Sequence, residues 1–174
     1  MKSLKILLTL TYFLLTTLAC SETPLQEIDI TSLTSDLGNQ ISMNGNWVTE
    51  CEQDLGMNMT ETFIFSENTL QIQIQVYSDE SCNDQIDSRV IDVDFEVQGT
   101  FTAQLNGQEV TGNKISGTQK VGTRFESFKQ SMHVVESETG LHFYHGRFGD
   151  DGGNLTSDGY PIEIIPIEFK KVRN

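Results

Sequence analysis

The stretch TLQIQIQVYSDESC, residues 69–82, decides the fold. Glutamines separate its apolar side chains, which occupy alternate positions: Leu70, Ile72, Ile74 and Val76. Successive side chains of a β-strand point to opposite faces. The alternation therefore predicts a strand with its apolar face toward a core and its amide face, Gln71, Gln73 and Gln75, toward water. A polar turn follows the strand and ends at a cysteine, Cys82.

The same period of two recurs along the chain from residue 45 onward. It is found in residues 45–51, in residues 61–66 and in residues 89–97, each of which we predict to be a strand. The pair Asn106-Gly107 predicts a two-residue hairpin turn, because both residues tolerate a positive φ. These segments together are typical of an antiparallel sheet with one wet face.

Three later segments carry weaker patterns. Residues 112–122 are rich in glycine and poor in apolar side chains, which predicts a weak strand or a mobile loop. Residues 125–135 fit either a helix face or a strand, and the turn and strand that follow, ending in residues 141–146, favour a hairpin. The apolar positions of residues 161–172 change parity, which predicts a bulge or an edge near Pro166.

Eight or nine short antiparallel strands with no helix predict an all-β fold. The expected architecture is a closed antiparallel barrel, with a β-sandwich as the alternative. We expect three parts in the chain: a leader over residues 1–19, a Ser/Thr/Asp-rich tether over residues 20–40, and one barrel domain over residues 41–174. Within the tether, a short ordered turn or edge strand near residues 28–33 is left open.

The first 19 residues have the pattern of a secretory leader. Lys2 and Lys5 precede a 14-residue apolar stretch, which is too short for an ordinary transmembrane helix. The sequence TTLAC, with Ala19 directly before Cys20, resembles a bacterial lipobox. That resemblance implies that Cys20 is diacylated, becomes the new N-terminus and attaches the protein to the bilayer. The alternative is plain secretion, with Cys20 removed or free.

The lipoprotein resemblance also implies a location. It places the protein in the cell envelope, on a membrane. Ser21, rather than Asp, follows the cysteine. By the sorting rule of such lipoproteins, a host with two membranes would therefore send the protein to the outer one.

The charge of the chain excludes one class of partner. Without the leader, the chain keeps nine basic and 25 acidic residues, a formal charge of −16. Such a surface repels the phosphates of nucleic acids. It also repels anionic lipid, so any membrane attachment should depend on acyl chains.

The cysteine count predicts a disulfide. Once lipidation takes Cys20, only Cys51 and Cys82 remain, and outside the cytosol disulfides persist. A bond between them would close a loop of 32 residues and contribute about 3–4 kcal/mol of stability in the chain-entropy model. Two lone cysteines without CxxC spacing do not favour a metal.

The segment 45–82 resembles a known group of proteins. Gly45-Asn46-Trp47 is similar to the G-x-W that opens the first strand of lipocalin-like barrels. With a cysteine shortly after it, a Phe-rich strand and a final Tyr-x-Asp-x-x-Cys, the pattern resembles small bacterial lipoproteins with a lipocalin-like domain. It more distantly resembles the extracellular domain of animal Wnt inhibitors down-regulated by the adenomatosis polyposis coli pathway.

This resemblance implies a function. Where the family has one, it binds hydrophobic ligands inside the barrel. Seven inward-pointing side chains would then line the ligand site: Trp47, Phe63, Phe65, Ile72, Ile74, Val93 and Phe95. An eight-stranded barrel is also the size at which side chains can fill the lumen, so a full core is the alternative.

Candidates for metal chemistry are few. A glycine-rich run carries four oxygen donors that could wrap calcium, Asp150, Asp151, Asn154 and Asp158, although the EF-hand spacing is absent. The same residue types are ordinary in solvated turns. The three histidines make no convincing site, since His142 and His145 are three apart on a predicted strand and should face opposite sides.

No catalytic motif occurs, and we expect neither an enzyme nor a cofactor. The leading hypothesis is a monomeric envelope lipoprotein that binds or shelters a small hydrophobic ligand. The alternative is an envelope interaction module, an inhibitor or an assembly factor, that acts through its loops with a filled barrel. That alternative predicts exposed apolar side chains around residues 106–124 or 147–160.

Overall fold

The computed structural model describes residues 31–54, 56–146 and 154–172. The strands of this part of the chain are β1 (Ser32–Thr34), β2 (Gln40–Ser42), β3 (Gly45–Val48), β4 (Glu52–Asp54), β5 (Met57–Ser66), β6 (Thr69–Tyr77), β7 (Gln85–Leu105), β8 (Gln108–Val121), β9 (Arg124–Ser137), β10 (Gly140–His145), β11 (Glu163–Ile164) and β12 (Phe169–Lys171).

Eight of these strands close into a ring. The order around it is β3, β5, β6, β7, β8, β9, β10 and β12, with every neighbouring pair antiparallel. The last strand closes the ring on the first, with Lys171 opposite Trp47. The Lys171 ammonium lies 5.2 Å from the centre of the Trp47 ring. The predicted antiparallel barrel is confirmed, and the sandwich alternative is not observed.

The opening stretch forms β6, and its two faces differ as predicted. Leu70 and Ile72 are buried in the core. The glutamine face lies outside the barrel, where Gln73 donates to Gln71 at 2.7 Å and Gln71 donates to Asp92 of β7 at 2.9 Å. These bonds connect neighbouring amides and carboxylates over the outer surface, which leaves the glutamines half-buried.

The hairpin of β7 and β8 turns at Asn106-Gly107, where both residues have a positive φ, as the sequence predicts. Residues 112–122, for which a weak strand and a loop were both open, belong mainly to the long strand β8. A Cβ atom on Gly117 would lie 1.9 Å from the carbonyl oxygen of Asp94. Glycine at this position therefore allows β7 and β8 to approach closely.

The other two segments with weak patterns, residues 125–135 and 161–172, also have defined structures. Residues 125–135 lie in β9, so the hairpin interpretation holds. The final segment is interrupted, as its parity change predicts: β11 pairs in parallel with the end of β7, whereas β12 belongs to the ring. Pro166 lies between these two strands.

An N-terminal arm of β1 and β2 packs on the barrel. The two strands pair with each other, and Leu33 of β1 is fully buried in the core. Asn113 of β8 holds β1 in place: it accepts from the backbone N–H of Thr34 at 2.8 Å and donates to the Thr34 carbonyl at 2.9 Å. Residues 31–40, which the sequence assigned to the tether, are therefore part of the packed domain.

The predicted disulfide is present. Cys51 follows β3 and Cys82 lies in the turn after β6, and their sulfur atoms are bonded. The bond fastens the connection between β3 and β4 to the end of the β6–β7 pair.

Candidate functional site

The seven side chains predicted to line a ligand site differ in how deeply they are buried. Six of them are buried, with at most 3% of their surface exposed: Trp47, Phe63, Phe65, Ile72, Val93 and Phe95. Ile74 alone is half-buried. All seven thus belong to the core or pack against it, as both the ligand-site expectation and its full-core alternative require.

The lower lumen is occupied by an aromatic floor. Its members are Trp47, Phe63, Phe65, Phe143 and Phe169. The rings of Phe143 and Phe169 stack with centres 4.5 Å apart, and Phe63 meets both of them edge-on at 5.4 and 4.7 Å. Trp47 contacts Phe143 at 5.3 Å and donates its indole N–H to the Met43 carbonyl at 2.7 Å. Side chains of the chain itself therefore fill this end.

A polar pair lies next to the aromatic floor. His145 of β10 is 1% exposed, and its ring stacks on Phe63 with centres 5.5 Å apart. Its Nε2 is 3.3 Å from Oε2 of Glu61 on β5, whose side chain is 12% exposed. The hydroxyl of Thr49 accepts a hydrogen bond from the backbone N–H of Glu61 at 2.8 Å. An acid and an imidazole thus face the interior of the barrel, next to the fully buried Gln130 of β9.

Several polar groups surround the imidazole of His145. Its Nδ1 is 2.8 Å from the carbonyl oxygen of Gly146 and 3.5 Å from Nε2 of Gln130. With Glu61 beside Nε2, both ring nitrogens have hydrogen-bond partners within the protein.

Beside the pair, the inner face of β6 and β7 carries incompletely covered apolar side chains, and we call this region the mouth. Ile74 lies directly opposite Glu61 on the neighbouring strand, and Ile91 lies opposite Ile72. Ile74, Ile91 and Val76 are all half-buried, in contrast to the buried floor. The mouth therefore combines apolar walls, a polar pair and an aromatic base, which suits a small ligand with one polar end.

A concavity lies on the outer face of the barrel. It is a groove of about 400 Å³ along β5, β6 and β7, with Ile64, Ser66, Thr69, Leu70, Gln71, Asp92, Val93 and Asp94 around it. Its carboxylates, hydroxyls and amide belong to the outer face of the sheet. The apolar side chains of Ile64, Leu70 and Val93 also line the groove, so its lining is mixed.

A strap formed by residues 154–165 crosses the outer surface of β8 and β9. Lys114 binds the Asp158 carboxylate at 2.6 Å, and Lys129 donates to the Asp158 carbonyl. Both ammonium groups also lie over the ring of Tyr160, at 5.2 and 5.4 Å. The hydrogen bond from Lys114 lowers the pKa of Asp158 to about 2.

These contacts bear on the calcium candidates. Asp150 and Asp151 lie outside the described residues. Asn154 donates to Glu163 at 3.1 Å, and Asp158 is engaged by Lys114. Within the described ranges, no group of three or more His, Cys, Asp or Glu side chains is arranged to hold a metal.

The sequence analysis did not predict the Glu61–His145 pair, although the alternation of side chains along β5 and β10 places both residues on inward faces. Glu61 shares the inward face of β5 with Phe63 and Phe65, and His145 shares the face of β10 with Phe143. His142 lies on the other face, where its Nε2 is 2.9 Å from the Ser137 hydroxyl, so the prediction that the two histidines diverge is confirmed. What parity could not show was which β5 residue meets β10 across the lumen.

No protein-family model matches the chain, and the search of curated proteins found no match to it. No helix in the part of the chain described here is long and apolar enough to cross a membrane. The leader and Cys20 lie outside the described residues, so lipidation stays a prediction of the sequence.

Proposed function

We propose that the protein is a membrane-anchored envelope lipoprotein whose barrel binds a small hydrophobic ligand at its mouth. The observation that carries this proposal is the pair Glu61–His145 beside the half-buried Ile74, with the half-buried Ile91 on the next strand. Buried polar groups are costly in an apolar lumen, and a ligand's polar end would give them a further partner. The apolar part of the ligand would cover the isoleucines.

The aromatic floor limits how deeply this ligand can enter. Phe63, Phe143 and Phe169 already contact one another, so the ligand would lie on the floor and not among its rings. Trp47, Phe65, Val93 and Phe95, expected from the sequence to touch the ligand, would then support the site from below. The proposed contacts move to Ile74, Val76 and Ile91.

Native mass spectrometry of the protein purified from its own host tests the proposal. We expect a bound lipid-like molecule, and we expect Ile74→Ser to lower its occupancy about tenfold or more, since losing one apolar contact costs about 1–3 kcal/mol of binding. Gln75→Ser is the matched control, because its side chain belongs to the outer, glutamine face of β6. A ligand-free wild-type protein, or equal loss in both variants, would contradict ligand binding at the mouth.

A second candidate function is an envelope interaction module, and one observation favours it. The tip of the β8–β9 hairpin exposes Val121 and Phe125, the latter with 73% of its surface in solvent. Val121 falls in the range where the sequence placed an exposed patch, as does Leu155 of the strap. If the purified protein carries another protein instead of a lipid, and Phe125→Ser removes it while Ile74→Ser does not, this function replaces the first.

A further inference from the structure

In the described part of the chain, the first part of strand β7 has one unpaired edge. It pairs with β6 along residues 85–94, but its pairing with β8 begins only at Asp92. No described strand pairs with residues 85–91 on that side. Residues 85–90 are all exposed, and two of them are apolar: Ile86 has 64% of its surface in solvent and Val90 has 55%. An unpaired strand edge is a template for another strand.

A hydrogen bond confirms the direction of this edge. The backbone N–H of Ser88 donates to the Asp87 carboxylate at 2.8 Å. Backbone groups of a strand alternate between its two sides, and an N–H directed at β6 would be used by that strand. Ser88 therefore presents its backbone to the open side, where a neighbouring side chain currently supplies the acceptor.

The residue types of the edge are complementary about Ser88. Asp87 and Arg89 flank Ser88 with opposite charges, and the apolar Ile86 and Val90 lie one position further out. We propose that a second copy of this chain pairs with the edge, antiparallel and centred on Ser88. Asp87 of each copy then faces Arg89 of the other, and Ile86 faces Val90. Each opposite-charge and apolar pair across an antiparallel ladder is stabilising.

Charge selects this register over its neighbours. Centring the pairing on Asp87 places two carboxylates against each other, and centring it on Arg89 places two guanidinium groups together. Both arrangements repel. Charges on an edge usually discourage pairing, and Ile86, the extra residue of a bulge against β6, also limits how far the ladder extends. Here the charges are of opposite sign and equally spaced about one residue, so they attract a second copy.

The resulting dimer would be isologous, with the same strand contributed by both copies. It would replace the monomer expected from the sequence. A ladder of five residues a side is short compared with a stable protein interface, so association in dilute solution should be weak. The inference is independent of the proposed ligand, because the edge and the mouth use different residues.

Cross-linking in the exporting host captures a weak contact. Directly opposed residues that share ladder hydrogen bonds have Cα atoms about 5.5 Å apart, which is within the range of a disulfide. We expect Ser88→Cys in the full chain to give a disulfide-linked homodimer on a non-reducing gel after mild oxidation. Ser127→Cys, an exposed serine of β9, is the control and should cross-link about tenfold less.

Charge reversal then tests the register. Adding Asp87→Arg to Ser88→Cys should reduce the cross-link about tenfold or more, and adding Arg89→Asp as well should restore it, because the exchanged charges are again complementary. Retention of the Cys51–Cys82 disulfide checks that each variant folds.

Four results would overturn the proposal. They are a folded Ser88→Cys protein that does not cross-link, equal cross-linking of Ser127→Cys, insensitivity to charge reversal, and a product whose mass shows a different protein.

Discussion

At the scale of single residues, the lumen shows how an ionisable group is tolerated against aromatic rings. A buried carboxyl group is costly unless partners replace its contacts with water. Glu61 meets this requirement through His145. Removing one partner of such a pair leaves the other buried without a partner, whereas replacing both by apolar groups can leave the free energy of unfolding unchanged. The pair is therefore weak evidence for stability, and under the proposed function it would serve to bind the ligand.

The two faces of β6 give a direct residue-scale prediction. Ile72 is 1% exposed, whereas Gln73 lies on the outer face and donates to Gln71. Ile72→Asp should lower the free energy of unfolding by about 4 kcal/mol or more, since it buries an unpaired charge. Gln73→Lys should change it by less than about 0.5 kcal/mol, because an ammonium can also donate to Gln71.

Denaturant unfolding followed by the fluorescence of Trp47, the single tryptophan, measures both changes. Similar losses in the two variants would mean that β6 does not present the faces assigned to it. The comparison is internal, since the two residues are adjacent on one strand.

At the scale of elements, the N-terminal arm depends on one amide. Asn113 is 1% exposed and bonds Thr34 twice, and it also donates to the carbonyl oxygen of Met132 at 3.0 Å. Its side-chain amide thus links the backbone of β1 to the backbone of β9 by hydrogen bonds. The arm brings Leu33 into the core, so the amide also controls apolar burial.

Asn113→Ala should lower the free energy of unfolding by about 2–4 kcal/mol, because it leaves buried backbone groups without partners. It should also make β1 and β2 more accessible to proteases. Gln98→Ala, an exposed amide on β7, is the control and should be nearly neutral. Equal protease sensitivity of the wild type and Asn113→Ala would show that the arm is held by other contacts.

The elements of the domain show what the sequence can and cannot predict. Local alternation predicted β6, and the Asn106-Gly107 pair predicted the turn between β7 and β8, because both depend on neighbouring residues. Asn113 lies in a segment poor in apolar residues, and its partner Thr34 is 79 positions away. No local pattern shows such a contact, so both the order of residues 112–122 and the packing of residues 31–40 were underestimated.

The candidate site also has a part that the sequence predicts and a part that it does not. Parity alone assigned Phe63, Phe65 and Ile72 to the interior, and all three are buried. The contact between Glu61 and His145 joins residues 84 positions apart across the barrel. It depends on ring closure and on the tilt of the strands, neither of which a single strand pattern encodes.

At the scale of the whole molecule, the packed domain and the predicted anchor fall in different parts of the sequence. The core cluster of the described residues lies between Leu33 and Phe169, whereas Cys20 lies outside the described residues. Without the leader the chain has a formal charge of −16, which opposes adhesion to anionic lipid. Membrane attachment should therefore depend on the acyl chains and not on the barrel.

Cys20→Ser should release a folded barrel from the membrane fraction, because each buried CH₂ of an acyl chain contributes about 0.8 kcal/mol to anchoring and the variant has no chain to bury. Fractionation of the exporting host measures the release, and the Cys51–Cys82 disulfide reports folding. The matched control replaces Cys51 and Cys82 by serine and keeps Cys20, and this variant should stay membrane-bound even if it is less stable. A Cys20→Ser protein that remained with the membrane would mean that the fold itself binds there, and the exposed Val121 and Phe125 would then be the first residues to change.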